Sequence, residues 1–201
     1  MPQITVAHDV VCPWCWVALR QSEWMRVEFP TITLRWVGFE LLPATLVYTP
    51  KPKDPDADKK PPIPSRFELL LAADRLSVPK RTSKLSNSRL ALEAGEFAWE
   101  AGKQEAYITA LYHAYWEEDR DISDLAVLKD VAQESGLDIT NFLAALEARI
   151  YRDRIVEFDE PAHAAGVWNV PTWKFPEKWV AEQPYSVVSE MCRGLLEGSA
   201  L

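Results

Sequence analysis

The sequence predicts an α/β fold that begins with a β-α-β unit, continues with an all-helical insertion and ends with a β-β-α unit. Three observations predict this order. Two runs rich in β-branched and aromatic residues flank a helical pattern within residues 1–42. Residues 65–166 repeat apolar positions at helical spacing, and strand signals return after residue 166. We therefore predict one discontinuous α/β domain, residues 1–42 and 167–201, that carries the helical insertion domain.

The first unit contains strands at about residues 4–7 and 31–39, with a helix from Pro13 to about Glu28 between them. Residues 43–64 then include seven prolines and a run of mixed lysine and aspartate. Proline removes the N–H that a helix needs, and the charged run leaves no apolar face to bury. We predict a semi-rigid surface connection there.

Helices of the insertion carry Leu, Ala, Phe and Tyr on one face, which we interpret as core. Ser123 and Thr140 are suitable N-caps for two of them. We expect helices without an intervening strand as far as about Phe158. Pro161 should end the last helix or begin a short one that stops at Gly166.

The closing unit contains two strand signals, at residues 170–175 and 178–181, close enough for a hairpin. The final helix follows Pro184. Cys192 lies on its apolar face, so we expect a small buried side chain there.

A pair of cysteines, Cys12 and Cys15, stands where the first strand passes into the first helix, with Pro13 near the first helical position. A cysteine in the first turn of a helix faces unpaired N–H groups and the positive end of the helix dipole. Both favour the thiolate, which is the form that attacks a disulfide. We expect Cys12 at an exposed tip as the attacking thiol, and Cys15 one turn inward as the resolving thiol.

Two structural interpretations compete with this dithiol: half of a zinc site, or ordinary core cysteines. Zinc needs four ligands at typical spacings. The remaining candidate ligands are scattered along the chain: His8, His113, His163 and Cys192. We therefore expect no metal and no bound cofactor.

Composition and charge argue against some classes of binding partner and indicate a cellular compartment. The 22 basic and 30 acidic residues leave a formal net charge of −8, which argues against nucleic acid. No stretch is long and apolar enough to cross a bilayer, and the first residues lack signal-peptide features. We expect a cytoplasmic protein with no membrane partner. Structural disulfides are rare in that compartment, where a C-x-x-C pair is usually catalytic or metal-binding.

This order of elements and several motifs resemble the thioredoxin fold with an inserted helical domain, as in the DsbA family, and most closely its FrnE-like branch. The resemblance spans nearly the whole chain. It is carried by residues 9–16 (DVVCPWCW), 87–91 (NSRLA), 110–116 (ALYHAYW), 136–138 (GLD), 166–172 (GVWNVPT) and 183–185 (QPY).

The resemblance implies a cis peptide bond at Val170-Pro171, close to the dithiol. X–Pro bonds adopt cis at small cost, and such a turn leaves the Val170 backbone free to pair with an extended substrate. Pro13, Trp14, Val170 and Pro171 are then the expected substrate contacts. A trans proline that begins a strand is the alternative.

Three further residues are candidate accessories. Asp9 either raises the pKa of Cys12 as a nearby negative charge, serves a proton transfer, or is a solvated loop carboxylate. His8 either approaches the site or is an ordinary strand-end histidine. Trp173, where the family usually has Phe, either lines an indole wall with other tryptophans or serves packing. Asn169 also departs from the family, which commonly has Gly before Val-Pro.

The function that the resemblance implies is thiol–disulfide exchange with a disulfide-containing protein or peptide, with glutathione as a candidate reductant. One alternative is a glutathione-dependent isomerase or transferase on the same fold, although those relatives carry Ser at the position of Cys12. Another is a holdase or binding module in which the dithiol is secondary.

Overall fold

The computed structural model describes residues 2–44, 64–80, 82, 86–157, 164, 166–176 and 178–198. In this part of the chain, five strands form one mixed sheet in the order β3-β2-β1-β4-β5. The strands are β1 (Gln3–His8), β2 (Thr33–Glu40), β3 (Val156–Glu157), β4 (Thr172–Lys174) and β5 (Trp179–Ala181).

Helices cover the sheet and form the insertion. They are α1 (Pro13–Glu28), α2 (Arg66–Ala73), α3 (Arg89–Glu100), α4 (Gln104–Trp116), α5 (Leu125–Glu134), α6 (Ile139–Glu147) and α7 (Tyr185–Glu197). Helix α3 packs on β2 and against α4 and α6, and α5 packs against α4 and α6. Within the described ranges, no helix has the length and apolar character that a membrane crossing requires.

The predicted order of elements is confirmed at both ends of the chain. Strands β1 and β2 pair in parallel, from Gln3 opposite Thr33 to His8 opposite Gly38, with α1 as the crossover. Strand β4 pairs antiparallel with both β1 and β5. The two distant ends therefore build one sheet. The end of β1 leads directly into the cysteine pair.

The N-caps of two insertion helices differ from the prediction. Asp124 caps α5 and Asp138 caps α6, and each side chain accepts a hydrogen bond from a free backbone N–H of the first turn. Ser123 and Thr140 do not fill these positions. In each helix an aspartate in the neighbouring sequence reaches the free N–H groups with a carboxylate, which also suits the positive end of the helix dipole.

The expectation that no strand interrupts residues 65–166 is wrong. Helix α6 ends at Glu147, a 3₁₀ turn follows, and β3 pairs in parallel with β2. Two residues are too few to leave a periodic signal in the sequence. The predictions for Pro161 and for most of the Pro-rich connection lie on residues 158–163 and 45–63, outside the described part of the chain.

Gln104, the first residue of α4, pairs with the backbone of β2. Its Oε1 accepts the Trp36 N–H at 2.9 Å, and its Nε2 donates to the Trp36 carbonyl at 2.9 Å. The same nitrogen also donates to the Gly95 carbonyl at 3.0 Å. Buried backbone groups need partners, so this one amide attaches α4 to both the sheet and α3.

Gly38 marks a close approach between the sheet and the insertion, opposite His8. A Cβ at this position would lie 2.9 Å from both Leu92 Cβ and Ile155 Cδ1. The close contact between this end of β2 and the insertion therefore requires a residue without a side chain at position 38. Gly95, on α3, is different, because a Cβ there would meet Ile108 Cδ1 at an ordinary 3.6 Å.

We expect Gly38→Ala to lower the free energy of unfolding by about 1–3 kcal/mol, because the added methyl overpacks a rigid contact. Gly95→Ala should raise it by about 0.5–1 kcal/mol, since alanine favours the helix and fits the space. Urea denaturation of both variants measures the difference. Shifts of the same sign would contradict this account of the β2–α3 contact.

Candidate active site

The cysteine pair lies at the start of α1, as predicted. Cys12 is the N-cap residue with extended backbone (φ −84°, ψ 119°), and Pro13 opens the helix. The Cys15 N–H donates to the Cys12 carbonyl at 3.0 Å. Both thiols are free, and they are close enough to hydrogen-bond to each other. The pair therefore lies where the helix dipole favours negative charge.

Cys12 is more covered than expected. It is only 5% exposed, and Cys15 is fully buried, so the expectation of an exposed tip is wrong. The reason is the loop before β4, which lies across the helix start. The Cys12 thiol donates to the Val170 carbonyl at 3.5 Å, which brings together residues 158 positions apart in sequence.

The Val170–Pro171 peptide bond is cis in the structure, the isomer that the resemblance implies. Both residues are buried, whereas Pro13 and Trp14 are half-buried at the helix start. The Thr172 hydroxyl donates to the Asn169 carbonyl and closes the loop. The four predicted substrate contacts therefore share one end of α1, and their role in binding stays a prediction.

Asp9 is a buried carboxylate, so the interpretation as a solvated loop residue is wrong. Its Oδ2 accepts the Leu41 N–H at 2.7 Å and its Oδ1 accepts the Val11 N–H at 3.3 Å. Burial raises the pKa of Asp9 to about 6, although these hydrogen bonds oppose the rise. The residue therefore changes protonation close to neutral pH.

Burial also raises the pKa of the Cys15 thiol well above its usual value. The hydrogen bond and charge of Cys12 act in the same direction, and so does the charge of Asp9. Cys15 is therefore held as a neutral thiol, and it needs a proton acceptor before it can attack a disulfide.

His8 is buried between two aromatic rings. Its Nδ1 lies 3.0 Å from the Tyr112 hydroxyl, and the edge of its ring packs against Trp36 at 5.0 Å. Burial, and then the charge of Arg35, lower the pKa of His8 to about 3. His8 is therefore neutral across the physiological pH range. It contacts the Tyr112 hydroxyl, which in turn contacts the Asp9 carbonyl before the dithiol.

Two residues of α4, Tyr112 from the predicted core face and Trp116 from one of the motifs that carry the resemblance, hold the segment before the dithiol. The Tyr112 hydroxyl donates to the Asp9 carbonyl at 3.2 Å, and the Trp116 indole N–H donates to the Val10 carbonyl at 2.8 Å. Their spacing of four puts them on one face of the helix. Polar tips on that aromatic stripe were the available signal.

The tryptophans do not form the wall that one interpretation expected. Trp173 is fully buried and pairs with Val6 in the sheet, so the packing interpretation fits its position. Trp179 lies at the sheet edge under the Lys174 ammonium, and Trp168 is 72% exposed. The other two tryptophans of the expected wall, Trp14 and Trp16, flank Cys15 in the first turn of α1.

Helix α2 builds a groove next to Trp14. The Phe67 ring lies 5.0 Å from the Trp14 ring, and the Arg66 guanidinium lies over it at 5.8 Å. The groove holds about 190 Å³, with Leu69 and Pro184 among its lining residues. No motif in the sequence placed this helix at the site.

Asp74 attaches the end of α2 to the rest of the fold. Its carboxylate accepts the Gln21 side-chain amide at 2.6 Å and the Tyr185 N–H at 2.7 Å. These donors belong to α1 and to the first turn of α7. The groove beside Trp14 is therefore fixed between three helices.

Cys192 and the candidate metal ligands form no metal site in the described part of the chain. Cys192 is fully buried on α7, as predicted, and burial raises its pKa to about 12. Among the residues that the structure describes, no group of three or more His, Cys, Asp or Glu side chains could hold a metal ion. His163 lies outside the described residues.

The chain is similar to a known family and to a curated protein. The family model of the DSBA-like thioredoxin domain matches residues 3–182. The uncharacterized protein YwbO of Bacillus subtilis (strain 168) is 32% identical over 177 residues, which cover 85% of this chain and 84% of that protein.

Solved structures share the fold. A probable DsbA oxidoreductase from Streptomyces coelicolor superposes with a TM-score of 0.70 at 22% identity, covering 100% of this chain and 92% of that one. The cytosolic disulfide reductase DsbM from Pseudomonas aeruginosa, solved with GSH, has a TM-score of 0.63 at 17% identity, covering 98% of each chain.

The buried pair His8 and Asp9 predicts opposite pH effects on stability. The pKa of Asp9 is raised in the folded protein, so its contribution to stability is present at low pH and is lost as pH rises through about 6. The pKa of His8 is lowered, so its contribution is present above about 6.5 and is lost as pH falls.

In wild type the two effects oppose each other between pH 6 and pH 4. In His8→Gln only the Asp9 effect remains, so we expect its free energy of unfolding to rise by about 2 kcal/mol relative to wild type when the pH falls from 6 to 4. Asp9→Asn should lose about 2 kcal/mol over the same interval. Denaturation at the two pH values measures both differences. Equal signs for the two variants would refute these protonation states.

Proposed function

The chain belongs to the DSBA-like thioredoxin domain family of thiol oxidoreductases, and from this premise we propose that it catalyses thiol–disulfide exchange with Cys12 as nucleophile and Cys15 as resolving thiol. The observation that carries the proposal is the position of the Cys12 thiol. It lies at the N-terminus of α1, 3.5 Å from the Val170 carbonyl, with Cys15 behind it.

The first step forms one disulfide and breaks another. The Cys12 thiolate attacks one sulfur of the substrate disulfide, and a mixed disulfide with Cys12 forms. The second substrate sulfur leaves as a thiolate and takes up a proton. Because α1 presents its positive end to Cys12, the attacking charge is stabilised at this position.

In the second step Cys15 loses its proton and attacks the Cys12 sulfur. The mixed disulfide breaks, the remaining substrate sulfur leaves as a thiolate that takes up a proton from solvent, and Cys12 and Cys15 end as a disulfide. The substrate has then gained two electrons and two protons. In reverse the same steps oxidise a dithiol substrate.

We assign the proton of Cys15 to the Asp9 carboxylate. Asp9 is buried, its charge raises the pKa of Cys15, and it is itself ionised above a pKa of about 6. A buried base of this kind can accept a proton that water reaches only slowly. This assignment gives Asp9 the proton-transfer role, one of the three interpretations that the sequence left open.

The expected substrate is a disulfide-containing protein or peptide whose extended backbone lies along Val170. Glutathione is our candidate reductant for the oxidised pair, and the solved complex of DsbM with GSH supports it. A cytoplasmic location is part of the same proposal, because a reducing compartment would keep the pair as a dithiol.

Cysteine variants test the proposal. Cys12→Ser should abolish reduction of insulin disulfides, whereas Cys15→Ser should accumulate a mixed disulfide that a non-reducing gel detects. Cys192→Ala is the matched control and should retain activity, because Cys192 is buried on α7. Full activity of Cys12→Ser would contradict the mechanism. If Cys12→Ser still suppresses aggregation as wild type does, and wild type reduces no disulfide, the binding-module alternative is favoured.

The role of Asp9 predicts a pH dependence of the resolving step. Release of substrate from the mixed disulfide should slow as pH falls through about 6, since protonated Asp9 accepts no proton. Asp9→Asn should slow this step about 10²-fold at pH 7 and remove the inflection. Stopped-flow tryptophan fluorescence of single turnovers measures the step. An unchanged inflection in Asp9→Asn would exclude Asp9 as the acceptor.

A further inference from the structure

We propose that Asn169 acts as a selectivity residue by occupying the Val170 N–H that an extended peptide substrate needs. This inference rests on the proposed function, because it concerns the substrate of the same thiol pair. It starts from a hydrogen bond within the loop: the Asn169 Oδ1 accepts the Val170 N–H at 3.1 Å.

Both backbone groups of Val170 already have partners within the protein. Its carbonyl accepts the Cys12 thiol at 3.5 Å, and its N–H donates to Asn169. An extended chain that pairs with Val170 as a neighbouring strand needs the same two groups. When Cys12 forms a mixed disulfide, its thiol hydrogen is gone and the carbonyl is released. The N–H is not released by that step.

A buried carboxylate holds the Asn169 side chain in place. The Asn169 Nδ2 donates to Glu182 Oε2 at 2.7 Å. A carboxylate only accepts hydrogen bonds, so the amide nitrogen of Asn169 must face Glu182 and its oxygen must face Val170. The orientation of the amide is therefore set by Glu182, which is only 5% exposed.

Glu182 is itself fixed by helix α2. The Arg66 guanidinium lies 3.0 Å from Glu182 Oε1, and it also lies over the Trp14 ring. The contacts form a chain from the insertion, through Arg66 and Glu182, to Asn169 and the Val170 N–H. This chain lies beside the groove next to Trp14, where a peptide side chain would enter.

The consequence is a penalty on peptide substrates that amide-free disulfides do not incur. A peptide must displace the side-chain Oδ1 of Asn169 before it pairs with the Val170 N–H. A disulfide without amide groups needs only the Cys12 sulfur. Asn169 is exposed, so the bond it makes is worth less than a buried one, and we expect an effect of about two- to fivefold on KM.

The test compares two disulfides in Asn169→Ala: a short fluorogenic cystine peptide and bis(2-hydroxyethyl) disulfide. The ratio of the peptide KM to the amide-free KM should fall about two- to fivefold, with the ratio of kcat values unchanged. Asn141→Ala, on α6, is the matched control and should leave both ratios as in wild type. Asn169→Gly should reproduce the fall if the alanine variant does not fold.

A second measurement needs no substrate. Hydrogen exchange of the Val170 amide, followed by NMR, should be faster in Asn169→Ala than in wild type. A parallel change of both KM values, a rise in the peptide KM, or unchanged exchange would overturn the role of Asn169 but not the proposed function. If wild type reduces neither disulfide, the proposed function fails and the inference fails with it.

Discussion

The site depends on two hydrogen bonds that α4 makes to the segment before the dithiol. Tyr112 and Trp116 donate to the carbonyls of Asp9 and Val10. The Asp9 carbonyl also accepts the Cys12 N–H at 3.2 Å, and buried backbone oxygens beyond the end of a strand need such partners. The segment therefore takes its path from the insertion, and Cys12 is delivered to the start of α1. Gln104 secures the other end of α4 by pairing with β2.

Burial then sorts the charges around the sulfur pair. It keeps Cys15 protonated, keeps His8 neutral and raises the pKa of Asp9 toward neutral pH. Each result follows from the cost of placing a charge in a medium of low polarity. The start of α1 is the exception, because its N–H groups and dipole compensate a negative charge there. The cysteine pair lies at this end of the helix.

The insertion contributes more than a covering for the sheet. Helix α4 holds the segment before the dithiol. Helix α2 borders Trp14 on the other side and reaches the loop before β4 through Arg66 and Glu182. Asp74 anchors that helix to α1 and α7. The residues around the cysteine pair and the groove beside Trp14 are thus divided between the two parts of the chain.

Sequence alone determined the elements with strong local signals: the β-α-β start, the hairpin and final helix, the helical insertion, and a cysteine pair at a helix entry. Period, proline and turn chemistry are local properties, so they can be read without coordinates. Only the tertiary structure decided the burial of Cys12 and Asp9, the two-residue strand β3, and the roles of Tyr112, Trp116 and Glu182. These depend on which distant groups meet, and side-chain type and spacing do not encode that.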